Sequence, residues 1–102
     1  MGEFDGKVVL VTGAGRGIGR AIALGFSEAG ARIVANDVSP DTLEQTADRI
    51  RSSGGIVEPI VADVANKLAV QTMTETAVER FGAIDVLINN AGVEPHADLL
   101  SL

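Results

Sequence analysis

The residues of this chain whose spacing carries the most chemistry are Thr12-Gly13-Ala14-Gly15-Arg16-Gly17-Ile18-Gly19. They follow the apolar, largely β-branched run Val8-Val9-Leu10-Val11, and a helical apolar periodicity starts at Ile18. That order reads as a buried parallel strand, a glycine-rich turn and a helix start. Glycines in such a turn let backbone N–H groups approach a phosphate with no Cβ in the way, and the positive end of the helix dipole faces the anion. The turn is therefore expected to cradle a phosphate.

Spacing narrows the kind of cradle. G-x-G-x-x-G would need glycine where Ile18 and Arg20 stand, and no Gly-Lys-[Ser/Thr] occurs for an ATP-type loop. The pattern that remains is T-G-x-x-x-G-x-G, on Thr12, Gly13, Gly17 and Gly19. Asp37 lies 20 residues after Gly17, at the end of a second apolar run, where an acid accepts hydrogen bonds from a ribose 2′-hydroxyl. A 2′-phosphate there would stand within about 4 Å of the carboxylate, costing roughly 4 kcal/mol per unit-charge pair at an effective dielectric near 20. NAD is expected in preference to NADP. Thr12 is expected to bond backbone near Asn90 and hold the turn.

These motifs, with Asn89-Asn90-Ala91-Gly92 further on, give a chain that resembles the cofactor-binding end of the short-chain dehydrogenase/reductase family over roughly residues 6 to 95. The resemblance implies that Asp63 binds the adenine amino group while the backbone of Val64 meets the ring. It also implies that Asn89 braces the sheet and that Ala91-Gly92 lines the cofactor cleft. Arg16 pulls the other way from Asp37, because a basic residue in the glycine loop often accompanies NADP in that family; an exposed loop arginine or a pyrophosphate contact is the equal alternative. The expected cofactor-binding set is Thr12, Gly13, Gly15, Arg16, Gly17, Ile18, Gly19, Asp37, Asp63, Val64, Asn89, Asn90, Ala91 and Gly92.

In the family a Tyr, with a Lys four residues on, moves the proton, beside a Ser and a later Asn. This chain has no Tyr, and its lysines, Lys7 and Lys67, precede that region. No catalytic residue and no metal ligand is assigned. The resemblance implies hydride transfer between NAD(H) and a secondary alcohol or ketone in the complete form, whereas the chain alone is expected to bind cofactor weakly and to catalyse nothing. The alternative is a freestanding nucleotide-binding or self-assembling module. A methyltransferase-type domain is disfavoured, because Thr12 stands where such domains carry an acid.

Four strands starting near 8, 32, 56 and 84, alternating with three helices, must position these residues. Helix one is expected to carry its apolar stripe on Ala21, Ile22, Gly25, Phe26 and Ala29, ending at Gly30. Ser39-Pro40-Asp41 starts helix two, with its stripe on Leu43, Ala47 and Ile50. Pro59 makes strand three an edge. Asn66 caps helix three, whose stripe is Val70, Met73, Ala77, Val78 and Phe81, and Gly82 closes it. Strand four runs over Ile84–Ile88. A turn at Glu94-Pro95 and the stub Leu99–Leu102 follow, with the lone His96 read as a loop residue. Right-handed crossovers then give an α/β fold: half of a doubly wound Rossmann-type parallel sheet, order 3-2-1-4, with helices on both faces.

At 102 residues the chain is expected to be one partial dinucleotide-binding domain that stops after strand four, with no second domain. Apolar residues make up 46% but aromatics only 3%, so the core must be aliphatic. The absence of Cys excludes a disulfide framework and suits a reducing, cytoplasmic setting. A net charge of −6 without a basic cluster argues against nucleic acid and anionic membranes as partners. An open edge at strand four is expected to be hidden by self-association or by a complementary second half.

Overall fold

The β-branched runs become parallel strands, of which the two inner ones, built on Val8–Thr12 and Arg32–Asp37, are covered on both faces. In the computed structural model, which describes residues 2–91, β1 (Val8–Thr12), β2 (Arg32–Asp37), β3 (Ile56–Val61) and β4 (Val86–Asn89) form one parallel sheet. α1 (Gly17–Glu28), α2 (Pro40–Ser52) and α3 (Lys67–Phe81) connect them. The readings on Gly92, Glu94-Pro95, His96 and Leu99–Leu102 lie outside the described residues.

The strand order is β3-β2-β1-β4, as expected. Val9 pairs with Ile33 on one side and Val86 on the other, and Asp37 at the end of β2 pairs with Val61. β1 is central and buried along its whole length, which is why it reads as an unbroken apolar run. Pro59 sits on the outer strand, opposite Ala35, where its missing N–H leaves no ladder bond unmade.

Alternation along the strands splits the core in two. Val9, Val11, Ile33 and Ala35 pack against Ala23 of α1 and Leu43, Ala47 and Ile50 of α2. Val8, Leu10 and Val34 face Met73 and Ala77 of α3. Phe4 closes one end of the first layer, edge-on to Phe26 at 5.0 Å.

Four details differ from the sequence reading. In α1 the fully buried positions are Gly19 and Ala23, while Ala21 and Gly25 are exposed. Small residues let the helix backbone lie close to the sheet, and such residues give little periodic signal. In α3, Val78 is 43% exposed, because only the Met73–Ala77 strip meets Val8, Leu10 and Val34. Pairing of β4 begins at Val86 and not at Ile84: Asp85 turns its Oδ2 back to accept the Val8 N–H at 2.8 Å, occupying the start of β1 with a side chain. Ser39 is the N-cap residue of α2, but its hydroxyl makes no cap bond, and its own N–H donates to Asp37 Oδ1 at 3.1 Å.

Asn66 caps as expected: its Oδ1 accepts the Ala69 N–H at 3.1 Å, and Gly82 ends α3 at a left-handed φ of 88°. Asn66→Ala is expected to lower stability by about 1 kcal/mol, read as a reduced midpoint in a urea melt followed by circular dichroism. No helix among the described residues is long and apolar enough to cross a membrane.

Candidate functional site

The turn after β1 delivers the N-terminus of α1 to the carboxyl edge of the sheet, beside the ends of β2 and β4. Of the three helices, α1 alone has neither a capping side chain nor an acid in its first turn. α2 carries Asp41 there and α3 is capped by Asn66. Arg16 holds the N-cap position in extended backbone, and the helical bonds start with Arg20 N–H to Arg16 O. The first N–H groups of α1 are thus left to meet something from outside, and with the helix dipole behind them they suit an anion.

The glycines of this turn do different work. Gly17 has a left-handed φ of 60°, and nothing lies within 4 Å of where its Cβ would be, so it forms the open side of the turn. Gly19 is the reverse case: a Cβ there would overlap the Gly13 carbonyl and come within 2.7 Å of Asn90 Nδ2. A Cβ on Gly15 would stand 2.7 Å from both Asp37 Oδ2 and Thr42 Oγ1. Gly19 and Gly15 are therefore required by protein packing, which spacing alone does not distinguish from ligand contact.

Polar groups fix the turn from both sides. The buried Thr12 hydroxyl donates to Asn89 Oδ1 at 3.1 Å and accepts from the Ala91 N–H at 3.1 Å, while Asn90 Nδ2 donates to Gly13 O at 3.2 Å. Thr12 thus makes the expected backbone contact near Asn90, at the Ala91 amide, and adds one to the Asn89 side chain that was not expected. The half-buried Asp37 accepts the Gly15 N–H on Oδ2 at 2.8 Å and the Ser39 N–H on Oδ1 at 3.1 Å. Each oxygen keeps a further lone pair for a hydroxyl donor.

Three supporting residues escaped the sequence reading. Asn36, buried at the end of β2, donates from Nδ2 to Ile60 O and Ala62 O, both at 3.1 Å, and its carbonyl accepts the Ala14 N–H at 2.8 Å. Thr46 of α2 is fully buried and donates to Ala14 O at 2.8 Å; it also accepts from Arg20 Nε at 2.9 Å. Arg20 Nη2 reaches Gly15 O at 2.5 Å. Polar residues without periodicity gave no signal; the one hint was a Thr among the apolar positions of α2.

On the α3 face, a cavity of about 610 Å³ gathers Thr12, Asp63, Val64, Asn89 and Ala91, with apolar walls including Leu10 and Met73. Asp63 is exposed and its Oδ1 accepts the Ala65 N–H at 2.9 Å. Gly13–Gly19 and Asp37 border the same sheet edge but do not line this cavity. Arg16 and Ile18 are exposed, Ile18 to 66%. Gly92 lies outside the described residues. An uncapped helix N-terminus, an acid with spare acceptor capacity and a mostly apolar cavity fit a ligand with a bridging phosphate, a ribose diol and a flat ring.

The family profile described as short chain dehydrogenase matches residues 7–102. The chain belongs to the short-chain dehydrogenase family. An oxidoreductase of Thermotoga maritima is 47% identical over 97 residues, covering 95% of this chain and 38% of its own. A short-chain dehydrogenase/reductase structure from Burkholderia xenovorans superposes with a TM-score of 0.88 at 37% identity, covering all of this chain and 42% of that one. An NAD⁺-bound xylitol dehydrogenase gives 0.86 at 42% identity, covering 89% and 35%. This short-chain dehydrogenase chain thus spans well under half the length of these relatives, and its sheet is the Rossmann-type sheet of the family.

Proposed function

We propose that this chain is the NAD-binding part of a short-chain oxidoreductase that, at its whole length, transfers hydride between NAD(H) and a secondary alcohol or ketone. The observation that carries the reading is the uncapped, acid-free N-terminus of α1 beside an Asp37 whose carboxylate keeps acceptor capacity at the ribose position.

When bound, the nicotinamide ring supplies the hydride donor or acceptor. The chain's own residues bind and orient. N–H groups from Gly17 to Gly19 and the α1 dipole hold the pyrophosphate, with Ile18 in that first turn and Arg16 at its rim. Asp37 accepts from the ribose hydroxyls and repels a 2′-phosphate. Asp63 and Val64 take the adenine end, and Asn89, Asn90, Ala91 and Gly92 border the cleft, braced through Thr12 and Gly13. The sequence has no Tyr to serve as the family's proton-transfer group, so that group is taken to come from a further part of the polypeptide, and no turnover is expected from these residues alone.

The same reading accounts for the β4 edge. Leu87 is 61% exposed on the α3 face. Relatives more than twice as long have the chain to cover it, so a further segment of the same polypeptide is the proposed occupant.

The test is native mass spectrometry and calorimetric titration of the chain with NAD and NADP. Retention of NAD, with NADP at least about tenfold weaker, is the expected result, corresponding to about 1.4 kcal/mol. Absence of dinucleotide binding, or a preference for NADP, would overturn the assignment.

A further inference from the structure

Arg20 is a half-buried cation whose guanidinium forms no ion pair among the described residues. It is directed instead at neutral oxygens. Nη2 lies 2.5 Å from Gly15 O and 3.2 Å from Thr42 O, and Nε donates to Thr46 Oγ1 at 2.9 Å. The Thr46 hydroxyl in turn donates to Ala14 O at 2.8 Å. Two consecutive carbonyls of the turn are thereby drawn toward α2.

The Ala14 carbonyl that Thr46 holds and the Gly15 N–H belong to one planar peptide and point in opposite directions. Arg20, through Gly15 O, holds the next peptide and so the far side of Gly15. The N–H of Gly15 then points at Asp37 Oδ2, 2.8 Å away. Gly15 is accordingly held at both ends, by a cation on its carbonyl and a carboxylate on its amide. Its lack of a Cβ is what lets Asp37 and Thr42 approach. A carbonyl left free to rotate would also present negative charge to the anion that the turn receives.

We propose that Arg20, with Thr46, is a positioning residue that sets the dinucleotide preference of this site by holding the Gly15 peptide against Asp37. The inference rests on the NAD-binding reading above. Both dinucleotides share the pyrophosphate, so a loosened turn weakens both; only the placement of the Asp37 charge separates a 2′-hydroxyl from a 2′-phosphate. Freed of the Gly15 N–H, the carboxylate swings toward water, where its repulsion is weaker.

The sign of the effect separates this role from two others. Arg20 acting by its own charge would attract the 2′-phosphate, and removing it would raise the preference for NAD. A merely structural Arg20 would weaken both cofactors equally and leave the ratio unchanged. Positioning predicts a fall in the ratio.

The experiment measures Kd for NAD and NADP on the chain and its Arg20→Met, Arg20→Lys and Thr46→Val variants, alongside hydrogen exchange at the Gly15 amide without cofactor. In Arg20→Met, NAD is expected to bind about tenfold weaker and NADP no more than about threefold weaker. Arg20→Lys keeps the charge but not the several-point reach, and Thr46→Val keeps Arg20 itself; both are expected to lower the ratio and to speed exchange at Gly15. Should Arg20→Met fail to fold, these two variants decide. A ratio that is unchanged or raised in them overturns the proposal, as does a Gly15 amide that stays protected. A parent chain that binds neither dinucleotide would instead overturn the NAD-binding reading, and the exchange result would still judge the Arg20 clamp.

Discussion

Gly19→Ala is expected to be the most damaging single-methyl change within the turn that follows β1. The added Cβ would overlap the Gly13 carbonyl and stand 2.7 Å from Asn90 Nδ2. No rotamer relieves a clash between a Cβ and a backbone oxygen, so α1 must move away from the turn. Overpacking of this kind costs about 1–3 kcal/mol. The shift also displaces the N–H groups proposed to hold the pyrophosphate, so NAD affinity is expected to fall by at least about tenfold in protein that remains folded. Gly25→Ala in the same helix is the control. Its Cβ meets nothing within 4 Å, and the exchange is expected to stabilise by about 0.4–1 kcal/mol with cofactor binding unchanged. Urea melts and NAD titrations of the two variants check both statements, and equal behaviour of the pair would refute the packing account.

That contrast also explains how far the sequence could be read. β1 and the middle of β2 were legible because burial on both faces leaves a continuous apolar run, and Pro59 identified the outer strand by what it cannot donate. Asn66 and Gly82 marked the ends of α3 because capping is local chemistry, settled within four residues. Ser39 takes the N-cap position without a side-chain cap bond, and its own N–H is engaged by Asp37, a contact that belongs to the end of β2 and not to the helix. The glycine spacing located the turn but not the separate duties of Gly15, Gly17 and Gly19, which depend on whether Asp37, Asn90 or open space stands opposite.

The supports of the site were the least legible part. Asn36, Thr46 and Arg20 come from β2, α2 and α1, and their partners are mostly backbone oxygens brought near by the crossovers. Nothing in the order of residue types encodes which carbonyl a buried Thr will meet. In the same way, Ala21 and Ala23 are equivalent as residue types, and only the seating of α1 on the sheet separates the exposed one from the buried one.

Asp37→Asn is expected to produce the largest change in specificity. The substitution keeps the size of the side chain and one acceptor oxygen while removing the charge. A carboxylate about 4 Å from a unit negative charge contributes roughly 4 kcal/mol of repulsion at an effective dielectric near 20, which is about a thousandfold in affinity. Asp37 is only half-buried, so screening reduces this, and a fall of about 30-fold or more in the NAD:NADP ratio is the expected outcome. NAD binding itself is expected to weaken about tenfold, because the amide presents an N–H₂ to one of two backbone donors, Gly15 or Ser39, that now share a carboxylate. Asp37→Glu separates charge from placement. The longer side chain keeps the charge but moves it off the Gly15 N–H, so a ratio between those of the parent and Asp37→Asn is expected. If Asp37→Glu matched the parent, charge alone would set the preference, and the hydrogen bond from Gly15 would have no part in it. Raising the salt to 1 M, where the screening length is about 3 Å, is expected to shrink the parent's preference and leave that of Asp37→Asn nearly constant. A preference that is insensitive to salt in the parent would place its origin in steric fit and not in the Asp37 charge.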